Sequence, residues 1–300
     1  MTKNIPRVTG LLVIEVRNSN PNGDPDRESD PRTRAHDGRG MISDVSFKRK
    51  LRETVLAKSG PVWQQLKSSL SLDDDSFGIH VDQDTRDREK AAKGDKKKSL
   101  SGAHWDVRVF GSTSLEEGDN FIRTGVAQFS IAVSTAKVRI QRDTNTVKAN
   151  VDVSKNADRG MAPLGFRIVE HGVYAMPFLI NPTAAAKSGC TVQDIELLCR
   201  LIPYAYAHNP SRIRPLVEVR HAWYFQHASA LGSCSDFAII DSLTPTKAKP
   251  EEPSTSWEEY GYDGEKLLVS LRQKYAGKFE HFGDLTDPTF VDEVFGHRGA

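Results

Sequence analysis

Thr9-Gly-Leu-Leu-Val-Ile-Glu-Val16 is the stretch on which the fold turns. Leu11, Leu12, Val13, Ile14 and Val16 give it an almost unbroken apolar run, the pattern of a strand buried inside a sheet. The run stops abruptly. Asn18 to Gly40 then gathers Asn-Pro, Asn-Gly, Asp-Pro and Gly-Arg-Gly into one turn-rich loop, and loops of that length usually carry a role. Beyond it, Ser43 or Asp44 can cap a helix whose Phe47, Leu51 and Val55 recur every four residues and so face a core. The opposite side of that helix is basic: Lys48 and Arg52 lie four apart, with Arg49 and Lys50 alongside. A solvated helix face and a surface for an anionic partner both fit this ridge.

Farther along, periodicity disappears between Leu72 and Ala103, where charges crowd and the segment reads as a surface insertion. Trp105-Asp-Val-Arg-Val-Phe110 and Ala127-Gln-Phe-Ser-Ile-Ala-Val133 return to alternation and predict two strands of the central sheet. From Ala136 to Pro163, Val138, Ile140, Val147, Val151 and Val153 alternate with polar residues on either side of Asp143-Thr-Asn145, which predicts a hairpin turning there. Between Lys137 and Lys155 that excursion carries five basic residues against two acids, a local net of +3. A hairpin of this kind needs something outside the chain to pack on; a basic loop without order is the other reading. Phe166 to Asn181 predicts strand, turn and strand, and Thr191 can cap a helix with Ile195, Leu198, Cys199 and Ile202 on one stripe. Val217 to Phe225 predicts a further strand, preceded by a loop holding Ser211, Arg212 and Arg214. The run Thr244 to Ser256 reads as a linker, followed by a helical tail over residues 257–300 with Leu267, Leu268, Leu271 and Tyr275 on one side. This order of elements matches an α+β, RRM-like or ferredoxin-like core better than a doubly wound sheet.

Composition narrows the function. Across 300 residues the chain is 38% hydrophobic and 27% charged, as in a globular protein with a wet surface. No apolar run approaches the ~18 residues of a membrane span, and the N-terminus lacks a signal-peptide pattern, so a cytoplasmic location without membrane contact is expected. A net charge of +1 excludes binding nucleic acid by being basic all over, so such a site must come from local clustering. Cys190, Cys199 and Cys234 have no zinc spacing and read as reduced, packed thiols. Asp24, Asp26, Asp30 and Asp44, with His36, raise a metal-dependent hydrolase, but Asp24-Pro-Asp26-Arg27 lacks the glycine and final glutamate of a calcium loop. Capping, Asx turns and pairing with Arg27, Arg32 and Arg34 account for these carboxylates. Nucleophile-elbow and Cys–His signatures are absent as well, so neither a catalytic residue, a metal nor a cofactor is expected.

Four motifs in order carry a resemblance: Asn18-Ser-Asn-Pro-Asn-Gly-Asp-Pro-Asp26, Gly40-Met-Ile-Ser-Asp-Val-Ser-Phe-Lys-Arg-Lys50, Asp106-Val-Arg-Val-Phe-Gly111 and Gly125-Val-Ala-Gln-Phe129. Continued through Gly172-Val-Tyr174 and Ser211-Arg212, this set resembles the large RAMP-superfamily backbone subunit of type I CRISPR Cascade complexes, in the I-C and I-B branch, over roughly residues 9 to 241. It departs at the second position of the Gly125-Val-Ala-Gln-Phe129 motif, Val126, where a Gly-Pro-Val-Gln pattern is expected. The resemblance implies a hand-like subunit: an RRM-like palm over residues 1–243, fingers inserted at about 72–103, and a thumb hairpin at about 136–163. Copies of the chain would stack along a guide RNA (crRNA) and present it to target DNA, beside the RNA-processing, large and small Cascade subunits.

Such a subunit reads phosphate and ribose, because the bases carry the information and must stay available. The expected RNA contacts are Asn18, Asn20 and Asn22 in the loop, Lys48, Arg49, Lys50 and Arg52 on the helix, and Gln128. Lys137, Arg139 and Arg142 in the hairpin join them, with Ser211 and Arg212. Met161 and Leu164 either wedge against a displaced base or pack the hairpin onto the palm. The resemblance implies a protein that is not an enzyme. Related type III subunits cut target RNA with a loop aspartate, a role for which Asp24, Asp26 or Asp44 would stand; a solitary RNA-binding protein is the third reading.

Overall fold

The strand Val8–Ser19, β1, is the axis of a computed structural model that describes residues 4–80, 100–114, 121–148 and 161–296. It is paired antiparallel on both sides, with Met161–Ile180 and with Val217–His227. Leu12, Ile14 and Val16 enter the core on one face of the sheet, Leu11 and Val13 the core on the other. That double burial is why the sequence does not alternate. Two dipeptides, Gly23–Asp24 (β2) and Asp30–Pro31 (β3), form a ribbon inside the turn-rich loop, and Gly111–Ser114 (β5) pairs with Phe121–Thr124 (β6). The remaining strands are Arg39–Ile42 (β4), Ala127–Phe129 (β7), Ala132–Lys137 (β8), Ile140–Lys148 (β9), Met161–Ile180 (β10), Val217–His227 (β11) and Phe279–Asp284 (β12).

The sheet runs β12-β11-β1-β10-β8-β4, with β7 and β9 also joined to β10. Within it, β11-β1-β10-β8 is the antiparallel ferredoxin-like core, with helix Asp44–Leu56 (α1) after β1 and a second crossover helix, Val192–Leu201, after β10. Between these two lie Pro61–Leu70 (α2) and Trp105–Phe110 (α3), so Val192–Leu201 is α4. Phe47, Leu51, Trp63, Trp105, Ile195 and Leu198 fill the space between these helices and the first face. The second face is closed by Asp236–Leu243 (α5) and Gly264–Lys274 (α6), whose Ile239, Leu243 and Leu271 pack with Trp223 and Phe225. A last helix, Pro288–Phe295 (α7), follows β12. Capping fixes two helix starts: Ser43 Oγ accepts from Ser46 N at 3.2 Å, and Thr191 with Asp194 forms a reciprocal box.

Several local expectations are corrected. Trp105–Phe110 is helical rather than a strand, because both its apolar and its charged residues are buried: Arg108 forks onto Asp194, and Asp106 accepts from Arg52 Nε and the His80 amide, each at 2.9 Å. Phe166 to Asn181 contains no turn; β10 runs straight through Gly172, whose missing side chain lets the Tyr174 ring sit close. Asp143-Thr-Asn145 is not a turn either. It is a strand segment paired with Phe166 to Leu164; residues 149–160 of the expected hairpin lie outside the described residues, as does most of the insertion expected at 72–103. Finally, Ala127 to Val133 divides into β7 and β8, with Ser130 N donating to Pro177 O at 2.9 Å between them. The run Thr244 to Ser256 lies against the sheet: Lys137 N donates to Pro250 O at 2.8 Å, and Ser254 is buried. Beyond it the chain adds a strand, β12, as well as helices.

A buried polar chain joins that run to the axis. His171 bridges Ser254 Oγ at 2.8 Å and Glu15 at 3.1 Å, while Arg17 donates to the same carboxylate at 2.6 Å. Burial would raise the Glu15 carboxyl, but the hydrogen bonds from His171 and Arg17 outweigh it and hold it at about 2. Its contribution to stability is therefore complete above the ordinary value near 4.5 and fades as pH falls towards 2. The native chain should exceed Glu15→Gln by about 3 kcal/mol at neutral pH in chemical denaturation, a gap that narrows below pH 4.5. The Arg108–Asp194 pair is enclosed on all sides, with Asp194 fully buried. Replacing Arg108 by Met strands that carboxylate and should cost about 3–5 kcal/mol in the same assay.

Candidate nucleic-acid interface

Three segments meet where β1 ends. Asn18 adopts a left-handed φ of 41° as the strand gives way to the loop. Asn20 N then donates to Ile213 O at 2.6 Å, its side chain donates to Ser29 O at 2.8 Å, and Arg214 Nε donates to Asn20 O at 3.1 Å. Asn22 Oδ1 accepts from Ser43 N at 2.8 Å, which seats the loop on the start of α1. Between the loop, α1 and the segment His208 to Arg214 lies an open polar cleft of about 710 Å³ lined by Asn22, Ser43, Ser46, Arg49, Lys50, His208, Ser211 and Arg214, with Glu53 as its acid. The first turn of α1 opens into it, and backbone amides there have no intrahelical acceptor and carry the positive end of the helix dipole. An anion therefore finds cations, hydroxyls and amides on converging walls.

The basic ridge is not a free cationic surface. Lys48 bonds to Asp44 at 2.9 Å, Lys50 to Glu53 at 2.7 Å, and Arg52 lies on the Phe110 ring with its Nε on the buried Asp106. Helical spacing places all four outward; carboxylates on α1 and α3 draw three of them in. Arg49 alone stands in solvent, 75% exposed, and shares Glu53 with Lys50. Two cations on one carboxylate leave a net positive charge in the cleft.

Of the other expected contacts, Asn22 and Ser211 line the cleft and Arg212 is exposed beside it. Asn20 is buried and holds the loop together, while Asn18 is exposed at its root. Gln128 is exposed on β7 and donates to Gly125 O at 2.9 Å. Lys137 is exposed and leans over Gly38, and Arg139 reaches Glu170 at 3.4 Å. Arg142 forks onto Asp30 at 2.7 Å, and Arg167 joins it there at 3.5 Å while bonding to Glu28 and to the Arg27 carbonyl. This ties the turn-rich loop to the base of the β9–β10 hairpin. The side chains of Met161 and Leu164 lie outside the described residues; their backbones are in β10, opposite Lys148 and Asn145.

Sequence reasoning missed His208 and Arg214 in the cleft and Arg167 at the hairpin. The Ser211-Arg-Ile-Arg214 spacing was the available signal for one of them. Most of the candidate carboxylates are engaged: Asp24 caps the Asp26 amide and faces Arg32 at 3.6 Å, Asp30 is held by two arginines, and Asp44 by Lys48, whereas the Asp26 side chain is exposed. Among the described residues no group of three His, Cys, Asp or Glu side chains is placed to hold a metal ion, and no helix is long and apolar enough to cross a membrane. The three cysteines are free; burial pushes the thiols of Cys190 and Cys199 far up.

Solved structures described as CRISPR RNA-guided surveillance complexes share this fold. One, in a pre-nicking state, aligns with a TM-score of 0.56 at 15% identity over 96% of this chain and 98% of its own. Another gives 0.51 at 14% identity with the same coverage. A CRISPR-associated protein Cas7 of Haloferax volcanii is 24% identical over 210 residues, 63% of this chain and 60% of the relative's length. The family model for CRISPR-associated protein Cas7 matches residues 6–265, nearly all of both cores described above, and the chain belongs to the Cas7 family.

Proposed function

We propose that this chain is the repeated backbone subunit of a type I CRISPR surveillance complex, holding guide RNA by its phosphates and ribose in the cleft at the end of β1. The observation that carries this reading is the cleft itself: a helix start, surplus cations and hydroxyls converge there, and its lining contains no Phe, Tyr or Trp. Phe47 and Trp105 are wholly buried, and Phe110, Phe129 and Tyr174 of the motifs are buried as well. Contacts to the backbone alone accept any guide and leave its bases for pairing with target DNA. A chain of net charge +1 would bind weakly as one copy and strongly as an array, since contacts multiply along a shared RNA. The hairpin formed by β9 and β10 extends beyond the end of β1, by about 25 Å for the eight residues from Met161 to Ile168. That is the reach by which one copy could contact RNA held by the next.

The same reading assigns no catalysis to this chain. Its support is that two of the three candidate aspartates are paired, Asp24 with Arg32 and Asp44 with Lys48, while Asp26 is exposed. Incubating the assembled complex with complementary RNA and a divalent metal ion should leave that RNA intact; evenly spaced cuts that disappear in Asp24→Ala would make the chain a nuclease.

For the cleft, Arg49→Glu with Arg212→Glu should lower guide retention equally for unrelated guide sequences, measured by filter binding across a salt series. The slope of log affinity against log salt should flatten by about 0.7 for each phosphate that is no longer neutralised. A fall for some guides only would identify base-reading residues instead.

A further inference from the structure

Two stacked rings stand at the mouth of the cleft. Tyr204 is 49% exposed, His208 is exposed and lines the cleft, and their ring centroids lie 5.9 Å apart with the planes at 36°. Among the described residues neither side chain makes a hydrogen bond or an ion pair. The local fold puts them there. Past α4 the chain makes a 3-10 turn, Ile202–Tyr204, and then a further turn in which Ala205 and Tyr206 are buried, the Tyr206 ring 6.1 Å from that of Phe47. With those two side chains held inside, Tyr204 and His208, four positions apart, come together on the outside. Asn209 locks the turn: its Nδ2 donates to Lys50 O at 3.0 Å and to Ala205 O at 2.9 Å, which ties the backbone beside His208 to α1. From α1 the same cleft receives Val45, 67% exposed and packed in neither core. Surplus cations, hydroxyls and a helix start account for holding phosphate, and they leave these three side chains without a task. Exposed rings beside an anion site are what the face of a nucleobase would use.

We propose that His208, backed by Tyr204, is a stacking platform for one base of the RNA strand whose phosphates lie in the cleft. This rests on the cleft at the end of β1 being the RNA site and adds one base contact to those with phosphate and ribose. Stacking grips the face of a base and not its hydrogen-bonding edge, so any base is accepted and the edge stays free for pairing. Tyr204 is a positioning residue: its ring closes one side of the imidazole and limits its rotation, so His208 meets the base already oriented. A stacked base neutralises no phosphate and releases no counterion, so this part of the affinity does not fade as salt rises. It complements the modest charge of the cleft, whose own grip does.

The test measures binding of the full-length chain to two fluorescein-labelled strands: a uridine oligonucleotide, and the same ribose-phosphate chain with hydrogen in place of every base. The native protein should prefer the uridine strand by about fivefold or more, the worth of one stacked base, at low and at physiological salt alike. In H208A/Y204A that preference should fall to near unity, while the salt slope on the base-less strand, which counts phosphates, is kept. H208F retains a ring and should retain the preference. A native protein indifferent to the bases, or a preference that survives in H208A/Y204A, would overturn the proposal. So would a loss in H208F as complete as in H208A/Y204A, because the contact would then belong to the imidazole nitrogens rather than to the ring face. If R49E/R212E binds the base-less strand like the native protein, the cleft reading fails instead; that result is read on a strand without bases and is separate from the ratio of the two strands.

Discussion

The pairing of β1 on both of its edges is the constraint from which the rest follows. With β10 on one side and β11 on the other, and apolar side chains entering a core on each face, the strand has no surface left to offer except its ends. Its C-terminal end is where the turn-rich loop, the start of α1 and the segment before β11 are forced together. Backbone bonds from Asn20 to Ile213 and from Arg17 to Leu216 make that junction a continuation of the sheet, so the cleft is positioned by a strand paired on both edges. A binding surface built this way can be rigid without being buried.

Electrostatics within the chain divide the same way. Many of the described cations around the cleft and hairpin are already committed: Arg52 and Arg108 to buried carboxylates, Arg142 and Arg167 to the loop acids, Lys48 and Lys50 to their own helix. Committed pairs fix geometry and add little to long-range attraction. Beside the cleft, Arg49, Arg212 and the surplus around Glu53 leave a modest local positive field. The Asp30 clamp has a second effect, since it couples the loop at the cleft to the base of the hairpin and gives both one rigid root.

Much of this was legible in the sequence. The unbroken run from Leu11 to Val16, the four-residue spacing of Phe47, Leu51 and Val55, and the Thr191 cap each report a local rule that the tertiary structure obeys. The failures share a physical cause. Trp105 to Phe110 alternates apolar with charged residues and resembles a strand, but the charges are buried against partners from α1 and α4, which pattern alone does not reveal. Asp143-Thr-Asn145 has turn chemistry, yet the ladder to β10 overrides it. Helical spacing gave the face of Lys48 and Arg52 but not the acids waiting at Asp44 and Asp106. The linker reading of Thr244 to Ser256 rested on composition, whereas Ser254 is held by a histidine 83 positions away. The individual site residues were harder to read than the family, because motif order survives where single contacts are exchanged.

The central claim is that this chain becomes an array only on its guide. Size-exclusion chromatography with light scattering, on protein purified with and without co-expressed guide RNA, reads protein mass and nucleic-acid content together. The account predicts several copies per RNA that fall apart on nuclease treatment, and small, RNA-free species otherwise. A nucleic-acid-free monomer under both conditions, or an oligomer indifferent to nuclease, would contradict it.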